Sequence, residues 1–334
     1  MIQDARVLQD EFIPREVGHR NQEMNELSRA LDPVTRNEPA ETVFLYGPSG
    51  AGKTCLARFA LDRLREAVLD LNSQYVNCWQ DYTRFRALYR ILEALGSTAD
   101  IHRQSTPTDA LLERLGTYQG PQFVVILDEV EQLQDEDLLY DLYRTSRISM
   151  VLIANREEEL FAWLDDRLVS RLHTSRRIRF EKYALDELVS ILEDRVRWGL
   201  DESVISYDQL TCIADTAAGD ARKAIGILRS AARQAQEGDA EEISFQMIHE
   251  ATPEAKTEIR QKNIEQLPPH QRALYEIVRE HDSLKPPDLY EQYRNRVEDP
   301  RSDRTVRNYL SKLGHYNLIE KEGNGRGRTY CLPA

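Results

Sequence analysis

Two hydrophobic rhythms divide the chain. Up to about residue 183, five short strand-like runs recur: Thr42–Tyr46, Gln74–Cys78, Phe123–Leu127, Ser149–Ala154 and Arg177–Phe180. Between them lie stretches whose apolar residues return every three or four positions, among them Asn21–Leu31, Cys55–Leu71, Phe85–Leu95 and Thr108–Gly116. The first rhythm suits buried strands and the second amphipathic helices. Strands alternating with helices predict an α/β fold, a parallel sheet covered on both faces.

After Tyr183 the strands stop. Helical spacing over 184–198, 207–217, 220–236 and 241–250 predicts an all-helical second domain. Thr252–Asn263 is polar and charged, a connecting helix or a linker. Pro268-Pro269 then opens a third unit with helical patterns at Pro269–His281, Pro287–Arg296 and Ser302–Leu313. Two short strands, Leu318–Glu322 and Arg328–Leu332, flank a glycine-rich turn and read as a hairpin. Three helices and a hairpin are the layout of a winged helix-turn-helix. The expected domains are therefore 1–183, 184–255 and 256–334.

The first strand runs directly into Gly47-Pro48-Ser49-Gly50-Ala51-Gly52-Lys53-Thr54. This is G-x-x-x-x-G-K-[ST] between a strand and a helix, a phosphate-binding loop. Its glycines let backbone N–H groups turn inward onto phosphate oxygens at a helix N-terminus. Lys53 can reach the β- and γ-phosphates, and Thr54 can offer a hydroxyl to Mg²⁺. The chain is thus expected to bind a nucleoside triphosphate.

Further along, Phe123–Leu127 ends in Asp128-Glu129, at the carboxyl end of a strand, where ligands of parallel sheets collect. Asp128 is expected to hold Mg²⁺ through water, and Glu129 to orient and deprotonate the attacking water. Asn155 ends the next apolar run. A strand-end asparagine is more often a cap or turn residue, so its candidacy as a γ-phosphate or water contact borrows from the two motifs before it. Arg171 and Arg222 are candidates for neutralising γ-phosphoryl charge, an effect worth about 10³–10⁵-fold in rate. With 36 arginines in the chain, position must justify each choice.

Charge narrows the partners. The net charge of −13 argues against a protein that is basic throughout. From residue 256 onward, however, 15 Lys/Arg face 12 Asp/Glu, whereas the remainder carries 29 against 45. Acidic excess with only 8 lysines fits either solubility in concentrated salt or GC-rich codon usage. Ser302 suits an N-cap, so the third helix of the last unit would present Arg304, Thr305, Arg307, Asn308 and Lys312, with Asn324, Arg326 and Arg328 on the hairpin. Those are the two places where winged helices touch DNA. No run of about 18 apolar residues exists to span a membrane. The N-terminus has no signal-peptide layout, and four isolated cysteines suggest reduced thiols in a cytosol.

Together these motifs resemble an AAA+ ATPase, and more narrowly the replication initiators grouped as origin recognition complex subunit one and cell-division-cycle protein six. Phe12–Arg20 is similar to that family's adenine-side segment, and Asn155 falls at its first sensor. Ser170-Arg171 sits where the family places an arginine finger acting on a neighbouring subunit. Tyr183 and Arg195 resemble the residues that meet the nucleotide from the lid, and Gly219–Arg222 looks like the second sensor. The helical stretch Trp79–Leu95 occupies an initiator-specific position that touches DNA in relatives, which makes Arg84 and Arg86 candidates. An ordinary core helix accounts for it equally well.

The resemblance implies an AAA+ sheet with a helical lid and a C-terminal winged helix. It further implies ATP and Mg²⁺, slow hydrolysis acting as a switch, and origin-like duplex DNA. Another AAA+ subunit and the replicative helicase are implied as partners, in the cytoplasm at the nucleoid. Two other functions share part of the motif set: a signalling or transcription-regulating NTPase, and a clamp-loader-like ATPase. A missing basic N-terminal extension and the acidic Arg156–Glu159 depart from the family pattern and point toward a divergent paralogue.

Overall fold

The computed structural model describes the chain apart from residues 103, 104, 282, 324–327 and 334. The chain forms two compact units, Met1–Ala255 and Lys256–Ala334. In the first, α1 (Asn21–Leu31) precedes β1 (Val43–Tyr46), and α2 (Lys53–Ala67) follows it. Then come β2 (Asn72–Asn77), α3 (Arg84–Glu93), α4 (Thr108–Gly116), β3 (Phe123–Asp128), α5 (Asp137–Arg144) and β4 (Ile148–Ala154). Two short helices that the apolar spacing did not single out, α6 (Glu157–Trp163) and α7 (Asp166–Leu172), lead to β5 (Arg176–Arg179). The strands pair in parallel, in the order β2-β3-β4-β1-β5.

Alternation along each strand sorts its side chains onto two faces. Val43, Leu45, Val124, Ile126, Val151 and Ile153 cluster with Leu27, Leu31, Leu56 and Leu61 of α1 and α2. Phe44, Phe123, Val125, Leu127, Met150 and Leu152 cluster with Leu88, Ile91, Leu111, Leu139 and Leu172 on the other side. Every position of β3 is buried, which explains its unbroken apolar run with Asp128 as the one charge.

Helices α8 (Leu185–Gly199), α9 (Tyr207–Ala217), α10 (Ala221–Glu237) and α11 (Phe245–Gln266) form a layer with its own core, including Leu188, Leu192, Ile213, Leu228 and Ile248. Asp220 caps α10 by accepting from the Lys223 N–H. The stretch 252–263, open between linker and helix on sequence grounds, is the continuation of α11. Ile248, Ala251 and Ala255 keep one face buried at helical spacing, and that packing carries the helix through Pro253.

The second unit holds α12 (Pro269–Arg279), α13 (Pro286–Arg296), α14 (Asp303–His315) and the antiparallel pair β6 (Glu320–Glu322) and β7 (Thr329–Cys331). Leu284 bridges Tyr330 of β7. Leu274, Ile277, Leu289, Tyr293, Val306, Leu310 and Leu313 are its buried centre. Three helices and a two-stranded wing follow the expected winged-helix layout. Among the described residues no helix is long and apolar enough to cross a membrane.

His270 ties the three helices of this unit together. Its Nδ1 lies 2.7 Å from the Tyr293 hydroxyl on α13, and its ring stacks at 18° on Tyr309 of α14. Burial first, and the Arg301 charge second, hold the imidazole below its ordinary pKa of 6.5, against the opposing charge of Asp299. The unfolded chain therefore takes up this proton first as pH falls. The stability it contributes is present above about pH 6.5 and lost below it, toward the folded value. Hydrogen exchange, corrected for intrinsic rates, should show residues 256–334 losing protection between about pH 7 and pH 5. His270→Gln should flatten that loss; an unchanged pH dependence would acquit His270.

Candidate functional site

Strand order decides which loops meet. Because β4 lies between β1 and β3, the residues leaving the carboxyl ends of these three strands converge. Ser49, Gly50, Ala51, Gly52, Lys53 and Thr54 line one cavity together with Asp128, Glu129 and Asn155. Gly50 and Gly52 take φ of +71° and +90°, left-handed values that a side chain resists. A Cβ on Gly52 would also strike the Tyr183 hydroxyl. Gly47 and Pro48 enter through their carbonyls, which accept from Lys53 Nζ at 2.7 and 2.9 Å.

Lys53 donates a third bond to Asn155 Oδ1 at 3.2 Å, and Asn155 Nδ2 donates to Glu129 Oε2 at 2.9 Å. Asn155 thus bridges the phosphate-loop lysine and Glu129, the acid that follows β3. Burial lowers the Lys53 pKa; the charges of Glu129, Asp128 and Glu131 oppose that shift, and Arg222 reinforces it. On the other side, Thr54 Oγ1 donates to Asp128 Oδ2 at 2.7 Å.

The donor set fits the nucleotide and its metal. A glycine-rich loop at a helix N-terminus, with a buried ammonium beside it, is an anion cradle. A hydroxyl beside a carboxylate offers Mg²⁺ two hard oxygen donors. Among the described residues no group of three or more His, Cys, Asp or Glu could hold a metal unaided. Phosphate oxygens and water would complete the shell, as is usual for Mg²⁺.

From the helical layer, Arg222 lines the same cavity, and no described residue accepts a hydrogen bond from it. Tyr183 sits over Gly52, its hydroxyl pKa raised by burial. Arg195 also lines the cavity, but its guanidinium is committed elsewhere. It donates to the carbonyls of Val7 (2.7 Å) and Phe12 (3.4 Å) and lies 4.8 Å from the Phe12 ring centre. Arg195 therefore fixes the N-terminal segment that lines one end of the cavity. Ala221 N donates to Gly50 O at 3.1 Å, and Asp220 packs against Gly50, so α10 touches the phosphate loop directly.

Three participants were given no role of their own in the sequence. The Tyr75 hydroxyl, from β2, donates to Asp128 Oδ2 at 2.7 Å, and burial raises its pKa far above the usual range. Buried Glu131 accepts from Asn155. Arg20 bonds the Ala51 carbonyl of the phosphate loop (3.2 Å) and the Glu181 carbonyl (2.6 Å), and lies 4.1 Å above the Tyr183 ring. The one signal for Glu131 was its place in the run Asp128-Glu-Val-Glu131.

Residues 36–161, which carry the phosphate loop, the Asp-Glu pair and Asn155, match the AAA domain family. Residues 189–253 match the Cdc6 AAA+ ATPase-type lid domain. ORC1-type DNA replication protein 9 of Halobacterium salinarum is 52% identical over 99% of this chain and 94% of its own length. ORC1-type DNA replication protein 1 of the same organism is 56% identical over 92% of this chain and 100% of its own. The chain belongs to the ORC1-type DNA replication protein family. It is an AAA+ ATPase of the replication-initiator type. Its fold is similar to the Aeropyrum pernix ORC1 protein solved in complex with DNA, with a TM-score of 0.78, 25% identity, and coverage of 99% of this chain and 93% of that one.

In this ORC1-type chain Arg171 does not line the cavity. It lies on α7, donates to the Arg167 carbonyl at 2.9 Å and stacks 5.0 Å from the Tyr140 ring centre. Arg84 is ion-paired with Asp141 and Asp135, while Ala87, Leu88, Ile91 and Leu92 bury the other face of α3. On α14, Val306, Leu310 and Leu313 point inward and Arg304, Arg307 and Asn308 are exposed. Thr305 is half-buried and its hydroxyl meets the capping Ser302 Oγ at 3.0 Å. Arg328 is half-buried beside Tyr330. Asn324 and Arg326 lie outside the described residues.

Arg20 gives this site a stability test. Its side chain and that of Glu23 are 5% and 15% exposed, so Arg20→Met strands a buried acid and two carbonyls. Unfolding of residues 1–255 in urea should lose about 3 kcal/mol. A loss below about 1 kcal/mol would mean solvent already serves these groups.

Proposed function

We propose that this ORC1-type ATPase is an initiator that binds origin-like duplex DNA under the control of bound ATP and helps recruit or load the replicative helicase. One observation carries the ATP switch: a single cavity gathers the phosphate loop, Asp128-Glu129, Asn155 and the α10 residue Arg222. ATP phosphates would accept from the loop amides, with Lys53 exchanging the Gly47 and Pro48 carbonyls for β- and γ-phosphate oxygens. Held through Thr54 and Asp128, Mg²⁺ would neutralise charge on those oxygens. Glu129 takes the proton of the attacking water as its oxygen bonds to the γ-phosphorus and ADP departs. Asn155 steers that water or the γ-phosphate, and Arg222 meets the charge from the lid side.

Two features support slow turnover in an isolated chain. Glu129 is held by Asn155, and Arg171 lies outside its own cavity. On this reading Arg171 completes the site of an adjoining AAA+ subunit. Loss of the γ-phosphate removes the partner of Arg222, and α10, bonded to Gly50, shifts the lid in response. Tyr183 and the segment fixed by Arg195 frame the base end of the nucleotide.

For DNA, α14 would enter the major groove through Arg304, Arg307 and Asn308, while the wing, with Arg328, follows the backbone or minor groove. The relative solved in complex with DNA supports this reading. Such a protein works at the nucleoid, in the cytoplasm.

Lys53→Ala should abolish ATP binding in a fluorescent-nucleotide titration; full affinity in that variant would end the site assignment. Arg304→Ala with Arg307→Ala should weaken duplex binding about tenfold or more. It should also lower the slope of log affinity against log salt by about 1 per lost phosphate contact. Unchanged affinity and slope would place the DNA elsewhere.

A further inference from the structure

Glu131 is the third acid of the Asp128-Glu-Val-Glu131 run, and no step above uses it. Glu129 takes φ of +55°, and a short 3₁₀ turn, Val130–Gln132, follows at once. That reversal brings the Glu131 carboxylate, only 6% exposed, against the end of β4. Its Oε1 accepts from the Asn155 backbone N–H at 3.2 Å and from Asn155 Nδ2 at 3.3 Å.

An amide side chain has two ends of similar shape, and its last torsion is soft. Something must decide which end faces Lys53. Here Nδ2 lies between two carboxylates, Glu131 Oε1 and Glu129 Oε2, so the flipped amide would set its oxygen against negative charge on both sides. The observed orientation leaves Oδ1 to accept from Lys53 Nζ. A buried carboxylate beside Asp128 and Glu129 is electrostatically costly. Packing alone would be served by an apolar residue.

We propose that Glu131 is a positioning residue for ATP hydrolysis. By accepting the backbone N–H and one side-chain N–H of Asn155, it sets the orientation of that amide and, through the amide, the places of Glu129 and Lys53. The inference rests on the reading of Glu129 as base and Asn155 as γ-phosphate or water contact. An amide misplaced by about 1 Å at such a site can cost about 10²-fold in rate while ground-state binding persists.

The test compares single-turnover ATP hydrolysis at saturating nucleotide with the dissociation constant of a fluorescent ATP analogue, both on the full chain. Glu131→Ala should slow hydrolysis at least about tenfold while affinity stays within about threefold. Glu131→Gln keeps an acceptor oxygen toward Asn155 and should recover most of the rate. Three results would overturn the proposal: Glu131→Ala at the wild-type rate, Glu131→Ala losing affinity in step with rate, or Glu131→Gln as slow as Glu131→Ala. Glu129→Gln is measured alongside. Wild-type turnover in Glu129→Gln would remove the base assignment itself, whereas an inactive Glu129→Gln with an unaffected Glu131→Ala would remove only the role given to Glu131.

Discussion

A buried ammonium needs counter-charge, and the whole nucleotide site is arranged around meeting that need for Lys53. At 7% exposure, an unpaired lysine would shed its proton or unfold its surroundings. Two loop carbonyls and the Asn155 oxygen accept its three protons, and three carboxylates stand behind them. A sheet that places β4 between β1 and β3 delivers these groups from neighbouring strand ends. The topology is thus a condition for the chemistry. On the proposed reading, a triphosphate would replace the carbonyl partners of the lysine, so binding would be an exchange of partners within an already charged cavity.

Coupling between the sheet and the helical layer also runs through charged groups placed where apolar ones would pack. Arg20 joins the phosphate loop to the chain entering α8; Arg195 and Arg229 hold the N-terminal segment by its carbonyls at Val7, Phe12 and Leu8. Guanidinium groups suit this work because five donors in a planar fork can satisfy several backbone acceptors at once. Contacts built from directional bonds have a small number of defined arrangements. On the proposed reading, a lid fastened in this way would answer the loss of one phosphate with a change of state.

What could be read from the sequence, and what could not, follows the range of the interactions. The phosphate loop, the apolar run ending in Asp128-Glu129, and the alternation that sorts Val124 from Val125 are local patterns, and they were legible. Helix α1 was legible to its ends, since one buried face of Leu27, Ala30 and Leu31 suffices to fix it. Tyr75 and Glu131 were not, because each acts on a residue 53 and 24 positions away, and only the fold makes them neighbours. Arg195 was visible as a lid arginine, yet its preference for the Val7 and Phe12 carbonyls depends on where the N-terminal segment lies. The continuity of α11 was hidden for a similar reason. Pro253 and a polar run argue for a break locally, and burial of Ala251 and Ala255 overrules them.

Charge sets the terms for any contact with DNA. Residues before 256 carry 29 basic against 45 acidic side chains, so the protein as a whole repels a phosphate backbone. Salt confines that repulsion to about 8 Å at physiological strength, and less in concentrated salt. What remains is the local balance on the C-terminal unit, where several arginines are already ion-paired. Arg294 pairs with Asp303, Arg296 with Glu276 and Glu280, and Arg301 with Asp299. Among the described residues no carboxylate pairs with Arg304 or Arg307, and both stand exposed on one face of α14. A surface of this kind has little to offer through bulk attraction. On the proposed reading, its grip on a duplex would come from a few unpaired guanidinium groups, which would tie affinity to shape and base contacts more closely than in a uniformly basic protein.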